Sequence, residues 1–324
     1  MLEERLSRDN GKGWEILENL ARQSVLAGGI SAIRYYEEAV ALAEGANPST
    51  MADHDATFSL IKSLENELRN LSSDYNFDYK YFGEEFEKLE TGKISDSEKK
   101  AIEDVLKRLS SVDDKISKKY SDFCSRYDEN NICILFDPLD GTNAFRLELP
   151  LFSSAVAFFI GDRPRIGAIY NISENIIYSA SLRGNESKAN VWNITKDKHL
   201  DLKKEREKRL KRRGNQPIQI STQLTRSNED KRKEGLEMLE KMPSKSTVYM
   251  LNGGQYSMSQ VSRGSLDCYI NNWTYSWDVS PGEVLVNAIG GKVTDMDKKA
   301  IDYTAKRIGV IAAGKEEIYT KLNF

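Results

Sequence analysis

The order of hydrophobic and polar positions predicts a chain that begins with helices and continues into strands. Apolar residues recur at helical spacing over residues 12 to about 43 and again over 52–71, which predicts two amphipathic helices. A short strand at 79–82 is followed by a charged stretch, residues 86–130, that is largely helical in pattern. Turn signals then separate short apolar runs, which favours an antiparallel meander of strands at about 131–136, 152–160, 165–170 and 175–180.

From Pro217 onward the pattern alternates between strand and helix, which indicates an α/β arrangement with helices on both faces of a sheet. The predicted strands are 218–221, 247–250, 266–270, 292–294 and 308–312, and the predicted helices are 228–242, 255–262 and 280–289. We therefore expect the α/β class, with an α+β N-terminal domain over residues 1–195 and an α/β C-terminal domain over residues 196–324.

Composition narrows the function classes. The 324 residues carry a net charge of −3, so bulk electrostatics does not favour a polyanion-binding protein. Three cysteines without C-x-x-C spacing do not form a disulfide framework, and two histidines far from any cysteine pair argue against zinc. The N-terminus lacks signal-peptide features, and the longest apolar stretch, 155–160, is too short for a bilayer. We expect a cytoplasmic protein with no membrane partner.

One segment departs from the mild overall charge. Residues 196–213 hold ten Lys or Arg against four Asp or Glu. Such a run is typical of a nucleic-acid or polyphosphate patch, or of a solvated helix or loop at a domain junction. We favour the solvated segment, because no aromatic residues interleave for base stacking.

The most informative stretch is residues 136–145, Phe-Asp-Pro-Leu-Asp-Gly-Thr-Asn-Ala-Phe, which follows a predicted buried strand. Two carboxylates, Asp137 and Asp140, at the end of such a strand are costly unless a positive group lies between them. Mg²⁺ meets that need, because it takes oxygen ligands from carboxylates and substrate phosphates. A plain surface turn is the alternative, since Asp, Pro and Gly are common turn formers.

Three further segments carry acidic residues that have ordinary explanations when taken alone. Glu84-Glu85 follows Gly83 at the end of a predicted strand, and such a pair of glutamates is usually only surface charge. Asp278 opens an apolar helix, either as its cap or as another carboxylate for the metal. Asp53 stands at the start of the second helix, where it is by default an N-cap.

Together these segments resemble the inositol monophosphatase superfamily, in the correct order along nearly the whole chain. The resemblance rests on Thr50-Met-Ala-Asp53, Gly83-Glu84-Glu85, Asp137-Pro-Leu-Asp140-Gly-Thr142 with Phe145, Gly167-Ala-Ile-Tyr170, Trp277-Asp278 and Gly290-Gly291. It implies a layered α-β-α-β-α sandwich and a Mg²⁺-dependent phosphomonoesterase with two to three ions in its site. It also implies lithium sensitivity and a homodimer.

Roles follow residue by residue from the resemblance. Glu84, Asp137 and the Leu139 carbonyl would bind a first metal, Asp137, Asp140 and Asp278 a second, and Glu85 would support a third. Asp53, Glu84 and Thr142 are the implied catalytic residues, with Thr142 and Asp53 orienting and deprotonating the attacking water. Gly141 and Thr142, with Asp278, would hold the substrate phosphate.

Departures from the family pattern leave the substrate open. The gap between Glu85 and Asp137 is long, and Asn271-Asn272-Trp273 occupies the region of the usual substrate-positioning Glu. We expect inositol monophosphate or a related sugar or polyol phosphate, with a 3′(2′),5′-bisphosphate nucleotide as the rival. A non-catalytic RNA- or protein-binding member of the same fold is the alternative of another class, and we expect nucleic acid not to be a partner.

Overall fold

Residues 1–38, 48–91, 96–224, 228–251 and 253–322 are described by the computed structural model. The first elements are α1 (Leu2–Leu6), α2 (Arg8–Glu38) and α3 (Pro48–Tyr75). The two predicted N-terminal helices are thus confirmed, although α2 begins earlier than expected and the predicted end near residue 43 lies outside the described residues. The apolar stripes of α2 and α3 face each other and the neighbouring sheet, and they bury Leu17, Leu20, Leu60, Leu64 and Leu68.

Seven strands form the first sheet, and they lie side by side in the same order in which they follow one another along the chain. β1 and β2 run parallel and every later neighbour is antiparallel, so the predicted meander is confirmed. The last two strands were not predicted from the sequence, because their residues are mostly polar and half exposed. The strands are β1 (Tyr79–Gly83), β2 (Ile132–Asp140), β3 (Ser153–Ile160), β4 (Arg163–Asn171), β5 (Ile176–Arg183), β6 (Glu186–Asn193) and β7 (Lys198–Asp201).

The charged stretch between β1 and β2 is helical, as its pattern predicts. It contains α4 (Glu84–Thr91), α5 (Asp96–Arg108), a 3₁₀ turn at Ser110–Lys115, and α6 (Tyr120–Cys124). The short α7 (Thr142–Arg146) follows β2 directly. The basic stretch forms β7 and then α8 (Leu202–Arg213), in which Arg206 is buried and donates to the carbonyls of Val261 and Gly314.

The second sheet has five strands in the order β11-β12-β10-β8-β9, in which β9, β8 and β10 run parallel. Its strands alternate with helices along the chain, as predicted. The elements are β8 (Ile218–Thr222), α9 (Glu229–Glu240), β9 (Ser246–Met250), α10 (Gly254–Arg263), β10 (Cys268–Tyr275), α11 (Ser276–Ala288), β11 (Lys292–Thr294), β12 (Arg307–Ala313) and α12 (Glu316–Tyr319).

Helix α11 lies between the two sheets, and its composition explains that place. It is apolar nearly all round and almost wholly buried, as expected for a helix covered on both sides. It packs on β4 and β5 of the first sheet and on β10, β11 and β12 of the second. With α2 and α3 outside the first sheet and α9 and α12 against the second, the layers follow the expected α-β-α-β-α order. No helix within the described ranges is long and apolar enough to cross a membrane.

Candidate functional site

The carboxyl ends of β1 and β2 meet at one edge of the first sheet. These two strands are parallel and in register, with Gly83 opposite Phe136. Glu84, the first residue of α4, and Asp137 of β2 directly follow this residue pair and are therefore neighbours, although 53 positions separate them in the sequence. This pairing explains how two acidic motifs far apart in the chain reach the same place.

The end of β2 buries both of its carboxylates. Asp137 is 2% exposed and Asp140 is 8% exposed, and the register with β3 is irregular between them. The Leu139 amide donates to Asp137 Oδ1 at 3.0 Å, and the Gln255 amide donates to Asp140 Oδ2 at 2.9 Å. Backbone amides thus orient both side chains, one from the same turn and one from α10.

Asp278 joins them from the start of α11. Its Oδ2 accepts from Thr274 Oγ1 at 2.6 Å and from the Tyr275 amide at 3.1 Å, so Asp278 caps the helix from its third residue, whereas Tyr275 holds the N-cap position. Asp137, Asp140 and Asp278 also offer carboxylate oxygens that all lie within 4.8 Å of one another. The capping and clustering explanations considered for Asp278 are therefore compatible.

Burial and mutual repulsion make this cluster unfavourable without a cation. Burial, followed by the charges of Glu84, Asp140 and Asp278, raises the pKa of Asp137 well above its ordinary value. Burial and the charge of Asp278 raise the pKa of Asp140 to about 8, and burial raises that of Glu84 to about 7. Convergent, buried, oxygen-only ligands fit a hard divalent cation such as Mg²⁺.

The two residues of the Glu pair point in different directions. Glu84 lines the same cavity as the three aspartates. Glu85 Oε2 instead lies 2.9 Å from His54 Nε2, and its Oε1 lies 2.5 Å from Lys88 Nζ. Burial opposes ionisation of Glu85, yet Lys88 and His54 hold its pKa below the ordinary value. Glu85 is thus already paired, whereas Glu84 is 3.7 Å from Lys88 and remains at the cavity.

The turn after Asp140 forms another part of the cavity wall. Gly141 has φ +88°, a left-handed conformation that favours glycine, and Thr142 begins α7. Thr142 Oγ1 donates to the Leu139 carbonyl at 3.1 Å, so the predicted metal-ligand oxygen and the predicted catalytic hydroxyl are hydrogen-bonded to each other.

Asp53 lies inside α3, which already begins at Pro48, so the default interpretation of Asp53 as an N-cap is wrong; the residue does not line the cavity. It is 4% exposed, and burial followed by the charge of Glu85 raises its pKa well above the ordinary value. The predicted contact between Asp53 and Thr142 stays a prediction.

A cavity of about 1280 Å³ extends from the acidic cluster. Several residues that line it, such as Arg146, Arg232 and Arg307, have no local signal in the sequence that marks them as part of the site. The cavity is lined by Glu84, Asp137, Asp140, Gly141, Thr142, Asn143, Arg146, Leu147, Thr222, Gln223, Leu224, Arg232, Met250, Leu251, Gly253, Asn271, Trp273, Thr274, Tyr275, Asp278 and Arg307.

Comparison of the sequence with known proteins finds one family. The sequence model of the inositol monophosphatase family matches residues 56–323. Inositol monophosphatase 1 of Saccharomyces cerevisiae is 27% identical over 165 residues, which cover 49% of this chain and 53% of that protein. Nus factor SuhB of Haemophilus influenzae is 26% identical over 204 residues, which cover 60% of this chain and 67% of that protein. The matches thus span about half to two thirds of the length of these relatives.

Solved structures share the fold over almost the full length. CysQ from Bacteroides thetaiotaomicron, described as a bacterial member of the inositol monophosphatase family, has a TM-score of 0.61 at 17% identity, covering 92% of this chain and 97% of that one. SuhB from Bartonella henselae also has a TM-score of 0.61, at 19% identity, covering 95% of this chain and 96% of that one. At these identities the likeness supports the fold alone.

Proposed function

The chain belongs to the inositol monophosphatase family, a family of metal-dependent phosphatases, and we propose that it is a Mg²⁺-dependent phosphomonoesterase acting on a small phosphate ester. The single observation that carries the proposal is the meeting of Asp137, Asp140 and Asp278, with Glu84, at one cavity. A protein without a ligand there would keep four clustered carboxylates at a cost to its own stability.

The oxygen atoms that line the cavity indicate which residues would hold the metal ions. Asp137, Asp140 and Asp278 form the centre, and Glu84 and the Leu139 carbonyl complete the proposed ligands of two ions. Glu85, held by His54 and Lys88, would support a third and weaker site. When bound, Mg²⁺ neutralises phosphate charge and lowers the pKa of a coordinated water molecule.

The chain's own groups would bind the phosphate and move the proton. The amides of Gly141 and Thr142 and the neighbouring Asp278 are proposed to position the phosphate oxygens, and Glu84 to assist catalysis at the metal. Thr142 and Asp53 would orient the attacking water and take its proton. For this relay the Thr142 hydroxyl must leave the Leu139 carbonyl, to which it donates here.

A phosphate-release assay on purified protein tests the activity. Inositol monophosphate, sugar phosphates and a 3′(2′),5′-bisphosphate nucleotide are supplied with Mg²⁺ and with EDTA. Wild type should release phosphate only with the cation, and Asp137→Asn should abolish turnover. Asp104→Asn is the matched control, because it removes one exposed carboxylate that does not line the cavity. Wild type inactive on every ester with Mg²⁺ and Mn²⁺ would overturn the proposal.

Substrate choice is the finer part of the proposal. Relatives named inositol monophosphatase support inositol monophosphate, and one structural relative, SaIMPase-II, is described with 2′AMP bound, which supports a nucleotide ester. The helical insertion at 86–130 also agrees with the nucleotide alternative suggested by the sequence. The assay above ranks these esters directly.

The expectation that nucleic acid is not a partner is not supported. It depended on the net charge of −3 and on the lack of interleaved aromatic residues in the basic segment, 196–213. Two relatives carry the name Nus factor SuhB. Filter binding of RNA to wild type and to Asp137→Asn would show whether a binding function exists apart from turnover.

Lithium sensitivity and a homodimer are further parts of the proposal that come from the family. Li⁺ would compete with Mg²⁺ for the carboxylates, so phosphate release should fall as Li⁺ is added at fixed Mg²⁺. Light scattering measures the mass of the particle, and a monomer mass would rule out the dimer.

A further inference from the structure

The cavity wall beyond the acidic cluster carries positive charge. Among the described residues that line it, the only carboxylates are Glu84, Asp137, Asp140 and Asp278. The other charged lining residues are all arginines, namely Arg146, Arg232 and Arg307. Once cations occupy the acidic cluster, this second part of the cavity is left with a surplus of positive charge.

Arg307 is held by aromatic rings and not by an acid. Its guanidinium carbon lies 3.2 Å from the centre of the Tyr275 ring and 5.5 Å from that of Trp273. No described carboxylate forms an ion pair with it. A guanidinium stacked through its face keeps its N–H groups at the edge, where they can bind an anion in a two-pronged manner.

Contacts place Arg307 next to the reaction centre. Arg307 and Tyr275 are opposite each other on β12 and β10, and the Tyr275 amide donates to Asp278 Oδ2 at 3.1 Å. Asp278 belongs to the acidic cluster. The guanidinium is therefore one residue removed from the carboxylates that would hold the metal.

The other polar groups considered on this cavity wall, Gln223, Asn271 and Thr222, are neutral, and most of them are used within the protein. Asn271 Nδ2 donates to Gln223 Oε1 and to the Tyr269 hydroxyl, both at 3.1 Å, and Asn271 Oδ1 accepts from the Trp273 amide. Thr222 is different, because it lines the cavity, is fully buried, and its hydroxyl has no hydrogen-bond partner among the described residues. Such a buried hydroxyl needs a hydrogen-bond partner, which an ordered water molecule or a ligand group in the cavity would supply.

We propose that Arg307, with Arg232 at the rim, forms a second anion subsite, so that the substrate is a small bisphosphorylated ester whose second phosphate binds there. The inference rests on the proposed phosphatase function, because it concerns the same cavity. Arg307 is a specificity-determining residue in this account and takes no part in cleavage of the first phosphate.

Two matched substrate pairs test the subsite, since each pair differs by one phosphate. They are adenosine 3′,5′-bisphosphate against adenosine 3′-monophosphate, and fructose 1,6-bisphosphate against fructose 1-phosphate. Loss of a charge-assisted hydrogen bond changes binding by roughly 10- to 100-fold. Arg307→Gln should raise KM for the bisphosphates by about that factor, with kcat and both monophosphate reactions nearly unchanged. The pair with the larger effect identifies a nucleoside or a sugar.

Additional variants separate the subsite from a structural role. Arg307→Lys keeps the charge and should recover part of the bisphosphate KM. Arg232→Gln, an exposed position, should weaken bisphosphate binding less, and Arg126→Gln, exposed and outside the cavity, should change nothing. Calorimetric titration of the same esters with Ca²⁺ in place of Mg²⁺ measures binding without relying on turnover.

Failures of the two proposals are distinguishable. If wild type cleaves no ester at all, neither in these pairs nor among the other esters tested, the phosphatase proposal fails. Calorimetry then still shows whether the protein binds bisphosphates more tightly than monophosphates. If wild type has similar KM values and similar affinities for the mono- and bisphosphates, the proposal of a second anion subsite is wrong. If Arg307→Gln lowers all reactions equally, Arg307 acts through Tyr275 and Asp278, and the subsite is again wrong.

Discussion

The Asp140 carboxylate accepts a hydrogen bond from the Gln255 amide at 2.9 Å, across 115 positions of sequence. Asp140 ends a strand of the first sheet, and Gln255 lies at the start of α10, which packs beside the second sheet. One acidic residue is thus held by both halves of the fold. Its charge, however, adds to the repulsion among Asp137, Asp278 and Glu84.

Asp140→Asn should separate these two roles. Asparagine can still accept from Gln255, but it removes one negative charge from the cluster. We expect the metal-free variant to melt at a higher temperature than wild type, while the increase produced by Mg²⁺ shrinks. Phosphate release should fall by roughly 10²- to 10³-fold, the size expected when one transition-state-stabilising group is lost.

Differential scanning calorimetry with EDTA or Mg²⁺, together with phosphate release, checks this prediction. Asp104→Asn serves again as the control and should match wild type in all three measurements. A metal-free Asp140→Asn that melts below wild type would show that the carboxylate stabilises the fold and does not strain it.

The metal-free protein should lose stability as pH rises. The ordinary values of 3.8 for Asp140 and 4.5 for Glu84 are raised to about 8 and about 7 in the folded state. Between the ordinary and the raised pKa the folded chain binds more protons than the unfolded chain, so the free energy of unfolding decreases with pH. Denaturation in EDTA between pH 4.5 and 8 should show this decrease, and saturating Mg²⁺ should reduce it.

The pH series has an internal check. Asp140→Asn removes one of the groups with a raised pKa, so its metal-free stability should fall less steeply over the same range. Equal slopes for the variant and wild type would assign the pH dependence to groups outside the cluster.

The sequence was sufficient for those parts of the site that are local. Asp137, Asp140, Gly141 and Thr142 stand in one turn, and the buried run before them identifies the strand that carries it. The alternation after Pro217 likewise identified all five strands of the second sheet, including β9, most of whose residues are exposed. Local pattern therefore predicted most of the core.

Long-range register determined the rest and cannot be obtained from local pattern. Arg307 meets Tyr275 only because β12 pairs with β10 in one antiparallel register, and a shift by one residue would turn Arg307 to the other face. His54 reaches Glu85 only because α3 lies against α4. The β6–β7 hairpin was missed because its residues are mostly polar and half exposed, so it shows little apolar pattern.

Lys88 should limit the repulsion around the Glu pair. Its ammonium lies 2.5 Å from Glu85 and 3.7 Å from Glu84, and it also acts on buried Asp53. Lys88→Met keeps most of the aliphatic stem but removes the charge. We expect a lower melting temperature without metal and a larger increase on adding Mg²⁺, because more negative charge then remains for the cation to neutralise.

Thermal melts over a Mg²⁺ titration measure both effects. Lys107→Met, an exposed position on α5, is the matched control and should leave both values unchanged. If Mg²⁺ raised the melting temperature of Lys88→Met by no more than that of wild type, His54 alone would be sufficient to compensate the charge of Glu85.

The close packing of β4 on α11 should link stability to activity. A Cβ on Gly167 would lie 2.4 Å from the Pro281 carbonyl oxygen, and both atoms belong to elements that cannot yield easily. Gly167→Ala should therefore push α11 away and destabilise the protein by roughly 1–3 kcal/mol, as overpacking in a core does. Because α11 also carries Asp278, the same displacement should move that carboxylate relative to Asp137 and Asp140, and misplacement by about 1 Å can lower a rate by about 10²-fold.

Urea denaturation and phosphate release at a temperature where the variant is fully folded separate the two effects, with the exposed Glu186→Ala on β6 as control. A variant that loses stability but keeps full activity would show that β4 yields and that α11 holds its place beside the acidic cluster.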